Sequence, residues 1–403
     1  MTGHQGSSIL HWTVGDRDQP AATTCPRCGH EVPSLDFCVR DGTPLQGTDA
    51  ERGTAGGRRQ AYAAAPDEGA TSIRIVSTLF PQLPRSDMDT FRWALTIGLA
   101  VVIALSVIGM YPVALIAAAV LVPLLMVVYL YDVDVYEDEP IRIIALTMAW
   151  GAVAGALAGV AIRLLLRTDT SLALAPSIDA IATRGVVIPL LDAALMIAGP
   201  LVLLRYRKFN DVLDGVTFGA ASAVSFVGAQ ALTHALDLFS AGLRPPGDAL
   251  PWVARLVILG IAQPTLAAGV IGAASGAFWL RYRAPVKDRG ALGVLGNPVV
   301  ATAVAAMTLV TSALAQLILP QALSMTAVAM LAAAALVWMR RVIHVGLLEE
   351  AAEIEIGPDI TCANCGRPTP FHSFCGRCGV ALRALPKLRQ KQAAAGSAPG
   401  DAS

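Results

Sequence analysis

Residues 93–131 read WALTIGLAVVIALSVIGMYPVALIAAAVLVPLLMVVYLY, with no charged side chain from Trp93 to Tyr131. About 20 apolar residues cross a bilayer as a helix, so this run is long enough to cross twice. Gly109-Met110-Tyr111-Pro112 near its middle supplies the break between two spans. A second uncharged run, Gly290 to Met339, breaks the same way at Leu319-Pro320-Gln321. Working outward, Ile143–Ile162, Val186–Leu204, Gly215–Leu236 and Leu256–Leu280 each supply one further span. The chain has 403 residues, 55% hydrophobic and 15% charged, and run lengths of this kind assign the apolar excess to membrane spans rather than to a soluble core. The sequence predicts an all-α polytopic membrane bundle of about eight transmembrane helices over 72–343.

Lys and Arg are enriched in short cytoplasmic loops. Arg85 and Arg92 precede the first span; Arg205, Arg207 and Lys208 follow the fourth. Arg281, Arg283, Lys287 and Arg289 follow the sixth, and Arg340 and Arg341 the eighth. This pattern places both termini in the cytoplasm. The outer side carries Arg163, Arg167, Arg184, Arg244 and Arg255, against the trend, and the inner loop DVDVYEDEPIR is acidic, which the rule tolerates. The first 70 residues are polar, so no cleavable signal peptide is expected. Formal net charge is zero, which gives no reason to expect a nucleic-acid partner.

All seven cysteines lie outside the predicted spans. The C-terminal set, within 360–383, is Cys362-x2-Cys365-x9-Cys375-x2-Cys378, two knuckles that together offer four thiolates to one zinc ion. In the cytoplasm thiols stay reduced, which disfavours the alternative of two disulfides. The N-terminal set, within 23–46, repeats the spacing at a constant offset of 337 residues: Cys25, Cys28 and Cys38, with Asp41 at the fourth position. A carboxylate oxygen can ligate zinc, giving a Cys3Asp site. His30 is a substitute ligand, and a ribbon that has lost its metal is the other reading. The chain is thus expected to hold one or two structural zinc ions in small β-knuckle ribbons at both cytoplasmic ends. Four protein ligands leave no open position for catalysis, so the ribbons read as folding or interaction modules for a cytoplasmic protein. Tails at 1–22 and 384–403 and a Gly/Ala/Arg-rich linker at 47–70 flank them. Apolar residues at helical spacing extend the last span through 344–358, to Gly357-Pro358.

Polar side chains inside hydrocarbon cost several kcal/mol and mark functional hypotheses. Asp192 stands alone in VIPLLDAALMIAG, residues 187–199; Gln230 and His234 share a face of the fifth span, Gln263 lies in the sixth and Gln316 in the seventh. Counting turns from the outer ends places Asp192, Gln230, His234 and Gln263 at one level. Asp192 needs a donor there, with His234 and Gln230 the candidates. Gly151-xxx-Gly155-xxx-Gly159 and Gly272-xxx-Gly276 form small-residue stripes that let helices approach closely.

YEDEPIRIIALTMAWGA (136–152) and RYRKFNDVLDGVTFGAASAVSF (205–226) resemble the acidic Glu-Pro entry with its Trp-Gly helix, and the basic loop with Leu-Asp-Gly, of PrsW-type intramembrane metalloproteases. The resemblance covers roughly 90–285 and implies a metal site built from Glu-Glu-x-x-Lys, Phe-x-x-x-Glu and a histidine in consecutive spans, activating water for hydrolysis. Carried onto this chain, the Glu pair falls on Asp192 and Ala193, the Lys on Met196, the second Glu on Gln230 after Phe226, and the His on or near Gln263. Each substitution removes a charge or a good metal ligand. Glu349-Glu350, the one adjacent Glu pair, follows the last span and has no lysine three residues on. The expectation is a bacterial inner-membrane pseudoprotease, a scaffold or regulator that binds a membrane-embedded partner or copies of itself. The alternatives are an active protease with a rearranged site, in which Asp192 and His234 hold a metal, and a small-solute transporter or channel.

Overall fold

The computed structural model describes residues 22–26, 29–40, 42–45, 89–133, 141–165, 177–238, 242–243, 249–284, 290–353, 356–362, 364–380 and 382. Eight described helices are long and apolar enough to cross a membrane. They are α1 (Asp89–Val107), α2 (Tyr111–Val133), α3 (Ile141–Leu165), α4 (Ile178–Leu203), α5 (Val212–Leu238), α6 (Pro251–Tyr282), α7 (Pro298–Ile318) and α8 (Gln321–Glu353). Each corresponds to one sequence-predicted span. α8 runs past the membrane-length segment to Glu353, and the chain is no longer helical at Ile356–Pro358. Residues 1–21 of the expected N-terminal tail, the 47–70 linker and the 384–403 tail lie outside the described residues, while Ala22, expected in the tail, is the first residue of the N-terminal ribbon's strand.

α5 is the axis of the bundle: 94% of its apolar window is buried, against 11% for α1. Its sequence, VLDGVTFGAASAVSFVGAQA, explains this, because small side chains on every face allow neighbours to close in on all sides. The α3 stripe packs directly on it. A Cβ added at Gly151 would run into the Ser222 carbonyl, one at Gly155 into the Phe226 carbonyl, and one at Gly159 into the Thr233 side chain. Nearer the start of the helix, α5 Gly215 lies against Trp279 and Gly219 against Ile271 and Ser275 of α6. Gly276 of α6 sits between Val216 of α5 and Val342 of α8. Large apolar side chains on the outer helices, among them Trp93, Ile97, Ile103, Val153, Leu157 and Met330, face outward and exposed. So much exposed apolar surface suits lipid, not water, and marks the chain as an integral membrane protein.

Two of the helices are not regular. In α4 the ladder opens to π geometry over Ile181–Val187, where the Ile188 N–H donates five residues back to the Thr183 carbonyl. In α6 the same happens over Ile258–Ala262, with the Gln263 N–H donating to the Ile258 carbonyl. Each π segment ends two residues before a proline, Pro189 and Pro264. Proline has no N–H and crowds the carbonyl four residues back, so the ladder slips by one residue ahead of it. The crowded positions are Gly185 and Gly260, both buried and packed against Leu314 and Ala118 respectively.

The ribbons at the two ends share one backbone. β1 (Ala22–Thr24) pairs antiparallel with β2 (Glu31–Pro33) through Thr23 opposite Val32. β3 (Asp359–Thr361) pairs with β4 (Pro368–Pro370) through Ile360 opposite Thr369, the same register 337 residues on. Cys25 N–H donates to the His30 carbonyl at 3.0 Å and Cys362 N–H to the Arg367 carbonyl at 2.9 Å. Cys38 N–H donates to Thr43 at 2.7 Å and Cys375 N–H to Val380 at 2.8 Å. Each knuckle turn closes on a left-handed glycine: Gly29 and Gly366 at φ 71° and 70°, Gly42 and Gly379 both at φ 69°. Gly42 keeps the second knuckle turn of the N-terminal module although Asp41 stands before it in place of cysteine.

Candidate functional site

Within the bundle, α3 through α7 line an open cavity of about 690 Å³. Asp192 and Met196 of α4, Phe226 and Gln230 of α5, Gln263 of α6 and Gln316 of α7 line it. The positions to which the family resemblance assigns catalysis therefore converge on one space, except Ala193, which is buried in the helix packing and does not line it.

Gln230 Nε2 donates to Asp192 Oδ2 at 3.1 Å. Asp192 thus has its donor, and it comes from Gln230; His234 belongs to α5, but its side chain lies outside the described residues. Gln263 does not reach Asp192. Its Nε2 donates instead to Ser312 Oγ of α7 at 3.2 Å, and Gln316 Nε2 donates to the Ser312 carbonyl at 3.1 Å. Two amide clusters, α4 with α5 and α6 with α7, face each other across the cavity.

The backbone of α4 just past Asp192 is held from two sides. Pro200 cannot supply the helical N–H that the Met196 carbonyl would accept, and Ser222 Oγ of α5 donates to that carbonyl at 2.8 Å. Trp150 Nε1 of α3 donates to the Leu195 carbonyl at 3.0 Å, its ring over Gly199. Both donors come from the two stretches that carry the family resemblance, so those motifs position α4. At the far end of α4, Arg283 Nε donates to the Leu204 carbonyl at 2.9 Å, and its Nη2 donates to the same oxygen. This ties the ends of α4 and α6 together.

Sequence reasoning missed three participants. Ser312 is an ordinary small residue in an apolar run, with no signal of its own. Arg163 and Arg184 stood out only as charges on the wrong side for the positive-inside trend; the structure puts both on the cavity lining.

Among the described residues, the one group of three or more His, Cys, Asp or Glu side chains spaced for a metal is Cys362, Cys365, Cys375 and Cys378, with all four sulphurs within 4.8 Å of one another. Cys362 and Cys378 Sγ are 3.8 Å apart, Cys365 and Cys375 Sγ 3.9 Å. A tetrahedron with Zn–S bonds of ~2.3 Å has edges of about 3.8 Å, whereas a disulfide needs about 2.05 Å. The donor set therefore fits a closed four-sulphur metal site. The sulphurs of Cys362 and Cys378 beside it hold the Cys375 thiol down to about 3, while the same sharing with Cys375 and Cys378 pushes Cys362 up. In the N-terminal module Cys25 and Cys38 are buried; Cys28 and Asp41 lie outside the described residues, and His30 is exposed.

Compared with known proteins, the chain matches no family model, no curated protein and no solved structure. The PrsW-type resemblance rests on the motifs quoted above.

Proposed function

We propose that this chain is a catalytically degenerate PrsW-like membrane protein, a scaffold whose cavity holds a polar segment of a membrane-embedded polypeptide. The observation that carries the reading is the Gln230 amide seated on Asp192. The resemblance puts a second carboxylate where Gln230 stands, and an amide N–H directed at Asp192 occupies the side from which a metal would approach. The other polar lining groups are the amides of Gln263 and Gln316 and the arginines Arg163 and Arg184, set among aliphatic side chains, Met196 and Phe226. Such groups recognise backbone and polar side chains by hydrogen bonding, and they supply neither a ligand set nor a base for water. The size falls within the range of pockets that hold small ligands or short peptide segments. Zinc in the ribbons is structural in this reading, through Cys362, Cys365, Cys375 and Cys378, and through the corresponding N-terminal residues where they permit.

A photoreactive residue at the cavity position Leu317, with Val153 on the exposed face of α3 as control, tests it in native membranes. The scaffold reading expects a full-length polypeptide crosslinked from Leu317 and not from Val153, at reduced yield in Asp192→Leu. A crosslinked polypeptide that is shortened in the parent chain and intact in Asp192→Asn would establish the protease alternative instead.

A further inference from the structure

The two ribbons, drawn from opposite ends of the chain, meet edge to edge. Phe37 N–H donates to the Gly376 carbonyl at 2.9 Å, and Phe374 N–H donates to the Val39 carbonyl at 2.9 Å. Phe37 corresponds to Phe374 and Val39 to Gly376 under the 337-residue repeat, so one bond is made twice in reciprocal sense. That is the signature of a twofold interface.

The side chains obey the same relation. The Phe374 ring lies where a Cβ on Gly42 would go, and the Phe37 ring where one on Gly379 would go. Leu35 of the N-terminal ribbon covers Gly376. Phe374, Val39 and Leu35 are buried at 1%, 0% and 4% exposure. Ile356, which follows α8, packs into the N-terminal ribbon's core with Cys25, Val32 and Cys38.

We infer that the ribbons form one composite module, a clasp in which the C-terminal ribbon of the same chain is the binding partner of the N-terminal ribbon, and metal on the C-terminal cysteines holds both. The edge that the N-terminal ribbon grips runs through Phe374 and Gly376, on either side of the metal ligand Cys375, so its shape depends on the metal being bound. The N-terminal module, with Asp41 at its fourth knuckle, gains from this partner the order that its own ligand set supplies less well. Two modules on one chain meet at an effective concentration in the mM range, which favours the intramolecular pair over a second copy. Two consequences follow. Both ends of the bundle must lie on one face of the membrane, which an even number of spans satisfies and an odd number does not. The knuckle edge expected to recruit a cytoplasmic protein is already occupied.

The test uses the full chain with a sequence-specific protease site introduced at Gly56-Gly57 and an affinity tag after Ser403. After cutting, the N-terminal piece is held by ribbon contact alone. It is expected to stay on the tagged bundle in zinc, and to leave with a chelator or in Cys375→Ser. It is also expected to leave in Leu35→Asp, a variant that touches none of the C-terminal cysteines and keeps their zinc. Release from the zinc-loaded parent chain, or retention in Leu35→Asp, would overturn the clasp. So would transfer of the piece to an untagged second copy during co-expression, because the pairing would then run between chains.

Discussion

Substituting Gly155 by alanine probes one of the close backbone contacts between α3 and α5. A Cβ there would collide with the Phe226 carbonyl on α5, and Phe226 is itself at 0% exposure. Both sides of the contact are backbone, so no side chain can rotate away. Ordinary carbon–oxygen contacts of this kind lie at about 3.3–3.6 Å, so α3 and α5 would have to part by on the order of 1 Å. Overpacking of this sort costs about 1–3 kcal/mol, offset by up to ~1 kcal/mol from alanine's better helix propensity. The net expectation is a loss of roughly 1–2 kcal/mol. Gly272→Ala is the internal control. It lies in the other small-residue stripe, yet its Cβ would meet the Val216 carbonyl at 3.2 Å and the mobile Met339 sulphur at 3.3 Å, so the change should be close to neutral. Unfolding of the purified protein in mild detergent, followed by tryptophan fluorescence against added denaturing detergent, measures both. A Gly155→Ala protein as stable as Gly272→Ala would refute the packing of α3 on α5, and with it the positioning of Trp150 over α4.

Gln230→Leu should destabilise the bundle by roughly 0.6–2 kcal/mol through loss of the interhelical bond, and Asp192→Asn, which keeps an acceptor at that position, by less; the same unfolding assay ranks them. Arg283→Met should cost about 1.5–3 kcal/mol, the value of a charged donor on a backbone oxygen, and should raise proteolysis of the junction after α4. Cys375→Ser should lower zinc by one ion per chain in elemental analysis, and Asp192→Asn should leave zinc unchanged.

The spans were legible because charge is expensive in hydrocarbon: uncharged runs and their Gly/Pro breaks located all eight helices. The level shared by Asp192 and Gln230 was legible from turn counting alone. Gln263 bonds Ser312 instead, because the π slip before Pro264 changes the rotation of α6, and a regular 100° per residue cannot register that. The repeat between the ribbons was written in their cysteines, phenylalanines and glycines. Their pairing was not, since reciprocal backbone bonds between Phe37 and Gly376 and between Phe374 and Val39 leave no mark on residue type. Arg163 and Arg184 ran against the positive-inside trend in the sequence, and the cavity lining gives them a place.

The claim that the membrane cavity is not a metal centre is tested most directly by the metal content of a full-length Cys25→Ser/Cys38→Ser/Cys362→Ser/Cys375→Ser variant. With both ribbons disabled, less than about a tenth of an equivalent of zinc or any other divalent transition metal per chain is expected, because the cavity offers too few ligands to bind one tightly. A stoichiometric ion that disappears in Asp192→Asn would contradict it.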